Sequence, residues 1–561
     1  MVVQEKSETC SPGGSAFRIE SLEFSRIPNQ SKLFLQYQQD PRLLSEFYPN
    51  AVGSHTEISG FISEVLANYR ADRRVICDAL EETNKNLGAG EKTLANIELL
   101  RENDAVAVVT GQQAGLFSGP LYTVYKALSA VKLSECLRGR GIRAVPVFWI
   151  ASEDHDFEEV SKTSFIEKNG RLITLKNDPQ RTFDDLAVGF VKLDDSIGET
   201  REKLFGELPR TEFTAELKDL LDETWFPGAS YSEAFGRLLA KIFEKYGLVF
   251  LDPLNEKLKR AAAPVYTQAV ERSGEIVAAL IERGRELEEK GFHAQVLIAE
   301  DYFPLFLQSE DGRRLALKKD KDGTFKVKGE GRAFSLDELA RSAESEPERF
   351  SPSVVLRGVV QDYLLPTVCY FGGGAEVAYF AQSAEVYRIL GRPVTPVFHR
   401  QSFTFVPARH GRTLNKYDLN LEKMLAGKES VLPEIVEKFL NPEMARVFAD
   451  AEERINTELN RLDRHLSELE PTLAESFAKR RQKIIYHIAA TRNKFHRAQI
   501  EKDEIIKRRL ETAFDTLTPG GGLQEREVNV LTFLNLYGKY FIDWIYEAVD
   551  LDDKAHRIVY L

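Results

Sequence analysis

The chain has 561 residues, 43% of them hydrophobic and 29% charged, and a net charge of −12. Length predicts two to four structural units around more than one core. The acidic balance argues against a general nucleic-acid or anionic-membrane binder, while leaving room for a local basic pocket.

The first residues, "MVVQEKSETCSPGGSAF", hold no apolar run suited to a signal peptide. No stretch reaches the roughly 20 uninterrupted apolar residues of a spanning helix. Cys10, Cys77, Cys136 and Cys369 lie far apart, with no Cys-x-x-Cys pair. They form neither a disulfide framework nor a zinc set, and a reducing cytoplasm suits them.

From Thr56 to Leu100 apolar residues recur at helical spacing, and "LGAG" supplies a C-cap glycine. The period then changes. "AVAVVTG" (105–111) reads as a buried parallel strand, "LYTVYKALSAVKLSECLRGRG" (121–141) as an amphipathic helix, and "IRAVPVFWIASEDHDF" (142–157) as a second strand ending in charge. Together they make a βαβ unit. Buried-strand signals recur at 246–253, 364–373 and 392–400. The fold class is therefore α/β: a doubly wound, Rossmann-like core with inserted subdomains. "FPLFLQSEDGRRLALKKDKDGTFKVKG" (303–329), with two Asp-Gly turns, reads as β-hairpin material within an insert near 295–335.

Beyond residue 440, Ile455, Leu459, Leu462, Leu466, Leu469 and Leu473 recur at four- and three-residue steps, the seam of a coiled coil. Pro471 suits the first turn of a second helix, which predicts an antiparallel hairpin with a longer second arm (472–514). An overhanging arm predicts a homodimer, the alternative being a hairpin that packs on its own core. Residues 518–549 return through an apolar helix. The expected domains are 1–420 (core), 421–517 (coiled-coil hairpin) and 518–561 (returning helix).

Three segments could carry chemistry. "VVTGQQAGLFSGPLYTVYK" places Thr110, Gly111, Gln112, Gln113, Gly115, Tyr122 and Lys126 around a strand-to-helix turn. Such a turn can present backbone N–H groups to an anion, or it can be only a tight corner. It matches neither the phosphate-loop nor the Gly-x-Gly-x-x-Gly pattern. Lys126 adds a positive charge there or lies solvated on the surface. In "SEDHDFEEV", Glu153, Asp154, His155 and Asp156 follow a strand end, where open α/β sheets bind ligands. A carboxylate beside an imidazole makes a general base or acid. The alternatives are a helix-capping cluster, or a metal site completed from elsewhere. "VVQDYLLPTVCYFGGGAEVAYFAQ" offers Gln361, Asp362, Gly373, Gly374, Glu376, Tyr379 and Gln382 at another such corner, with Cys369 a core residue. His399 and Arg400 end a further strand and could bind an anion or be structural, and His293 shares that ambiguity.

The blocks "TGQQAGLFSGPLYTVYKA", "PVFWIASEDHDFEEV", "QDYLLPTVCYFGGGAEVAYFAQ" and "LQEREVNV", in this order across nearly the whole chain, resemble the cysteine-adding enzymes of bacillithiol biosynthesis, the BshC family. "GGGAE" stands where that family's pattern has Gly-Gly-Pro-Gly-Glu. The resemblance implies a Rossmann-like core, a coiled coil pairing two chains, and a ligase that joins the cysteine carboxyl to the amine of glucosaminyl malate, the last step to bacillithiol. ATP or ADP is the cofactor a likeness to adenylating enzymes suggests, although neither His-x-Gly-His nor Lys-Met-Ser-Lys-Ser occurs, so the mode of activation stays open. No metal is implied. On this reading Gly111, Gln112 and Gln113 contact the malyl carboxylates or the oxyanion. His155, oriented by Asp154 or Asp156, takes the amine proton, and Gly373, Gly374 and Glu376 close the opposite wall. Two competing readings are a nucleotidyltransferase-like enzyme adenylating another small acid and a non-catalytic coiled-coil scaffold or sensor.

Overall fold

A computed structural model describes residues 17–180, 184–329 and 331–561. The amino-terminal stretch, with Cys10, lies outside the described residues. The chain divides into two compact units. The larger comprises residues up to Lys168, Ile173–Thr404 and Glu525–Val559; the smaller comprises Asn169–Leu172, Phe405–Gln524 and Tyr560–Leu561. The smaller unit thus begins before the expected boundary at 421, and the returning segment from Glu525 is part of the larger unit.

The core of the larger unit is a five-stranded parallel sheet. Its strands are β1 (Val106–Gln112), β2 (Ala144–Ile150), β3 (Val249–Leu251), β4 (Thr367–Gly372) and β5 (Val397–His399), in the spatial order β5-β4-β1-β2-β3. All five coincide with the apolar runs read from the sequence. Val106 to Val109 are fully buried, as expected where both faces of a parallel sheet are covered. Registers align Gly111 with Trp149, and Tyr370 with both Val109 and Val397. The chain builds outward from β1 through β2 to β3, then crosses to lay β4 and β5 on the other side. The order therefore reverses between β1 and β4, where α/β sheets open a crevice at the strands' carboxyl ends.

Helix α1 (Tyr122–Gly139) joins β1 to β2. It is buried on nearly every side rather than amphipathic, because it runs through the centre of the unit. Within it, Ser129 and Ser134 donate to the carbonyls of Tyr125 and Ala130. Helix α2 (Glu256–Glu271) follows β3. Helices α3 (Val354–Leu364) and α4 (Gly374–Ile389) flank β4. The predicted hairpin is part of a five-stranded antiparallel sheet, in the order 333–334, 325–327, 314–319, 305–308, 350–352. Cys77 and Cys369 are free and buried, whereas Cys136 is disulfide-bonded, a departure from the thiol reading of the sequence.

In the smaller unit, α5 (Pro442–Leu469) and α6 (Pro471–Lys502) pack as the predicted hairpin, with Pro471 in the first turn of the second arm. The long second arm expected to run to 514 breaks at Asp503. The Asp503 carboxylate accepts from the N–H groups of Ile505 and Ile506 and so starts a separate helix, α7 (Glu504–Leu517). Among the described residues, no helix is long and apolar enough to cross a membrane.

Candidate functional site

The glycine-rich turn after β1 is a buried corner. A Cβ on Gly111 would sit 2.7 Å from the Trp149 carbonyl oxygen on β2, so the strand pair itself demands glycine. Gly115 faces Gly119, where a Cβ would meet the Gly119 Cα at 3.0 Å, and Gly119 has φ +67°. The N–H groups of Gly115 and Gly119 donate inside the loop, to the carbonyls of Gln113 (2.9 Å) and Leu116 (3.0 Å). Asn529, from the "LQEREVNV" block, closes the corner by donating to the carbonyls of Phe117 (2.7 Å) and Gly119 (2.8 Å). Packing therefore requires glycine at these positions, and the N–H groups of Gly115 and Gly119 are spent within the loop.

What faces the crevice is side chain. A cavity of about 310 Å³ opens at the carboxyl ends of β1, β2 and β4. It takes in Gly111, Gln112, Gln113, Tyr122 and Lys126 from one corner, and Gly373, Gly374, Glu376 and Tyr379 from the other. The second corner departs from the family pattern without losing its cap. Gly373 precedes α4, and its N–H donates to the Glu376 carboxylate at 2.7 Å.

Lys126 is not a solvated lysine. It is buried, its Nζ donates to the Gly111 carbonyl (3.0 Å) and Gln112 Oε1 (2.9 Å), and it ion-pairs with Glu376. Burial pushes the ammonium pKa down, and Glu376 opposes that shift. Burial likewise pushes the Glu376 carboxyl up, but Lys126, the Tyr370 hydroxyl and the Gly373 N–H together hold it below its ordinary value. Burial also pushes the Tyr122 hydroxyl up to about 12, so it remains a neutral donor.

Three further cations line the cavity: Arg357, Arg400 and Arg526. Arg357 donates to the hydroxyls of Tyr379 (2.9 Å) and Tyr370 (3.1 Å) and stands 5.2 Å from the Tyr370 ring centroid. Arg400 donates to the buried Glu525 at 2.7 Å and lies 5.4 Å from the Tyr122 ring centroid. Among the described residues, neither Arg357 nor Arg526 has a carboxylate within ion-pair distance. Glu525 is itself held by Ser402 Oγ and the Phe403 N–H, and Ser402 contacts the buried His556 at 2.7 Å. The returning carboxyl-terminal segment thus supplies one cavity cation and the counter-ion of another. Reading strand ends alone missed Arg357, which sits inside a helix. It also missed Arg526, although the block containing it carried the family resemblance.

Other expected residues lie elsewhere. Thr110 is buried and donates to the Phe371 carbonyl across β4. Gln361 and Asp362 belong to α3; Asp362 is buried and accepts from Gln361, Tyr387 and Thr395, and burial raises its pKa. Gln382 clamps the Val296 backbone, with both bonds at 2.8 Å. His399 packs edge-on to Phe24 and Phe34, and burial together with Arg400 holds it well below its ordinary pKa. Glu153 is buried against Lys259 of α2. Asp154 accepts from the cavity residue Gln113 (2.7 Å), and Asp156 caps the short helix Phe157–Val160. His155 lies beside them, outside the cavity lining.

Comparison with known proteins agrees with this architecture. The family described as "Bacillithiol biosynthesis BshC, N-terminal Rossmann-like domain" matches residues 18–401, and "Bacillithiol biosynthesis BshC, C-terminal coiled-coil domain" matches 403–561. A protein of Koribacter versatilis is 35% identical over 96% of this chain and 99% of its own length. One of Salinibacter ruber is 34% identical over 94% and 96%, and one of Chlorobaculum tepidum 30% identical over 95% and 97%. All three carry the name "Putative cysteine ligase BshC". With a parallel-sheet core, a helical hairpin and full-length relatives in agreement, the chain belongs to the BshC family, a ligase family of bacillithiol biosynthesis.

Proposed function

We propose that this protein joins the carboxyl of cysteine to the amine of glucosaminyl malate, in the cytoplasm, as the last step of bacillithiol formation. The observation that carries the reading is the cavity's charge: four cations, Lys126, Arg357, Arg400 and Arg526, stand around one carboxylate, Glu376. The Lys126–Glu376 and Arg400–Glu525 pairs compensate two of them, which leaves Arg357 and Arg526 for the two carboxylates of a malyl group. A planar guanidinium suits a carboxylate because two parallel N–H groups match its two oxygens. Tyr122 and Tyr379 add neutral hydroxyls, and the Trp149 and Tyr370 rings supply apolar wall for a sugar.

Forming the amide requires that the cysteine carboxyl be activated, so that one of its oxygens leaves with the activating group as the C–N bond forms. The ammonium must lose a proton before attack and the new amide nitrogen a second after it, and the tetrahedral oxyanion must be stabilised. The cationic lining of the cavity suits the last need. The N–H groups of Gly115, Gly119 and Gly373 are engaged within the protein, so these three do not cradle a polyphosphate.

The hairpin supports pairing of two chains. No side chain of α5 is buried, and seam residues Leu462, Leu469 and Leu473 are 47%, 78% and 52% exposed. An apolar stripe left open in this way favours a second copy.

Calorimetric titration with glucosaminyl malate tests the function. Binding that Arg526→Ala weakens, in a protein of unchanged melting temperature, supports the reading. Absence of binding both alone and in the presence of cysteine defeats it.

A further inference from the structure

His155 stands next to the cavity wall without lining it. Ala151 and Gln113 do line the cavity. Asp154 is tied to both: its N–H donates to the Ala151 carbonyl (3.3 Å), and its Oδ2 accepts from Gln113 Nε2 (2.7 Å). The other oxygen, Oδ1, accepts the backbone N–H groups of His155 (2.7 Å) and Asp156 (3.4 Å) and lies 4.0 Å from His155 Nδ1, beyond hydrogen-bond reach. Asp156 spends its Oδ1 on the Glu159 N–H. Neither carboxylate orients the imidazole.

Arg314 does. Its guanidinium nitrogen NH1 is 3.4 Å from His155 Nδ1. The rest of the guanidinium is fixed: Nε donates to Ser351 Oγ (2.9 Å), NH2 donates to the Pro352 carbonyl (2.8 Å), and its carbon lies 3.9 Å from the Phe306 ring centroid. All three anchors belong to neighbouring strands of the inserted antiparallel sheet. A guanidinium only donates and does not lose its proton, so the nitrogen facing it must offer a lone pair. A neutral imidazole that accepts at Nδ1 carries its proton on Nε2.

We infer that Arg314 fixes His155 as the Nε2–H tautomer, so that the free side of the ring presents a hydrogen-bond donor and not a bare nitrogen that could act as a base. The groups facing the ring support the neutral state. Burial and Arg314 lower its pKa, against Asp154, Asp185 and Asp156, which raise it. A base needs a bare nitrogen toward the amine, and the only bare nitrogen here is turned to Arg314. An N–H donor gains most in strength when the oxygen it meets gains charge. This role rests on the proposed reading of the cavity as the site of amide formation; the tautomer does not. Arg314 is then a positioning residue, contributed by the insert.

The test is long-range proton–nitrogen correlation on the full-length protein with 15N-labelled histidine side chains, the His155 signals being assigned by their loss in His155→Gln. At neutral pH, His155 Nδ1 is expected at the shift of an unprotonated nitrogen and Nε2 at that of a protonated one. Arg314→Met is expected to mix or reverse the two. A protonated Nδ1 in the parent protein, or a pattern unchanged by Arg314→Met, overturns the inference. Should Arg314→Met fail to fold, rescue decides. The Gln amide places an N–H near the position of Nε2–H and the Asn amide one near Nδ1. In cells dependent on this gene, His155→Gln should therefore restore at least about tenfold more thiol than His155→Ala, and His155→Asn no more than Ala. Equal loss in Gln and Asn, or no loss in either, removes the donor role. If the parent protein makes no bacillithiol, the proposed function falls, and the nitrogen shifts still decide the tautomer.

Discussion

The two compact units bury their apolar side chains in opposite ways. Strands β1 and β2 of the larger unit are buried nearly end to end, and α1 beside them is buried almost all round. Helix α5 of the smaller unit has no buried side chain, although its leucine seam is as regular as any pattern in the chain. A parallel sheet covered on both faces leaves only strand ends where polar groups can meet a cavity, so the chemistry gathers there and is held rigidly. A two-helix hairpin can bury only what its second arm covers. The larger unit is a closed structure with one open edge; the smaller is a surface.

The strongest way to break this contrast is to attack the open edge. Arg357 is cradled by Tyr370 and Tyr379 and has no carboxylate partner among the described residues, so Arg357→Met should weaken glucosaminyl malate binding by about 30- to 1,000-fold, ~2–4 kcal/mol. Arg526→Ala, at an exposed position, should cost less and leave melting unchanged. Near-parent affinity in Arg357→Met would show that the unpaired guanidinium is structural.

A second effect of similar size concerns the network behind Arg400. His556 is fully buried, bonded to Ser402 and Thr404, and burial pushes its pKa down to about 4. The unfolded chain holds an ordinary histidine near ~6.5, so it binds more protons than the fold between those values. The stabilisation is complete above about 6.5 and is lost as pH falls through about 4, a swing of roughly 3 kcal/mol. His556→Gln should flatten the acid limb of the stability curve over that window, and an unchanged limb would mean that other groups govern it.

Smaller again is the cost of filling the β1–β2 contact. Gly111→Ala forces a Cβ against the Trp149 carbonyl and should destabilise the larger unit by about 1–3 kcal/mol. Gly198→Ala, with open space around its Cβ and a place inside a helix, should stabilise by about 0.5–1 kcal/mol. A tolerated Gly111→Ala would reopen the ligand-loop reading of the glycines.

These contrasts show how far the sequence could be read. All five sheet strands were legible, because a strand buried on both faces must be a continuous apolar run. Both corners of the cavity were legible too, because strand ends in such sheets bind ligands. What each residue does there was not. Lys126 looks like any helix-face lysine until α1 proves to be buried on all sides. Gln361 and Asp362 look like strand-end polar groups until the residues before Leu365 prove to be helix, with Asp362 satisfied by Tyr387 and Thr395. Arg314 is 159 residues from His155, and no local pattern announces that pairing. Arg526 reaches the cavity, and Glu525 its cation Arg400, from more than a hundred residues beyond β5, contacts set by chain topology and not by spacing.

The smallest expected effect on the fold falls on the surface unit. Leu469 and Leu473 flank the turn between α5 and α6 and are more than half exposed. Replacing both by Glu removes little packing within the chain, so helicity should persist and stability change by no more than about 0.5 kcal/mol. If the seam is where two copies meet, the same double variant should turn a dimer into a monomer in sedimentation velocity at micromolar concentration, because two charges per chain cannot be desolvated there without partners. The two readouts separate the possibilities. Helicity lost together with the dimer would mean that the leucines hold the hairpin's own arms. A dimer that survives intact would place the contact between copies elsewhere. A parent protein that sediments as a monomer would leave the exposed seam as a surface for a different partner, and the contrast between the closed unit and the open one would then stand without a second copy to explain it.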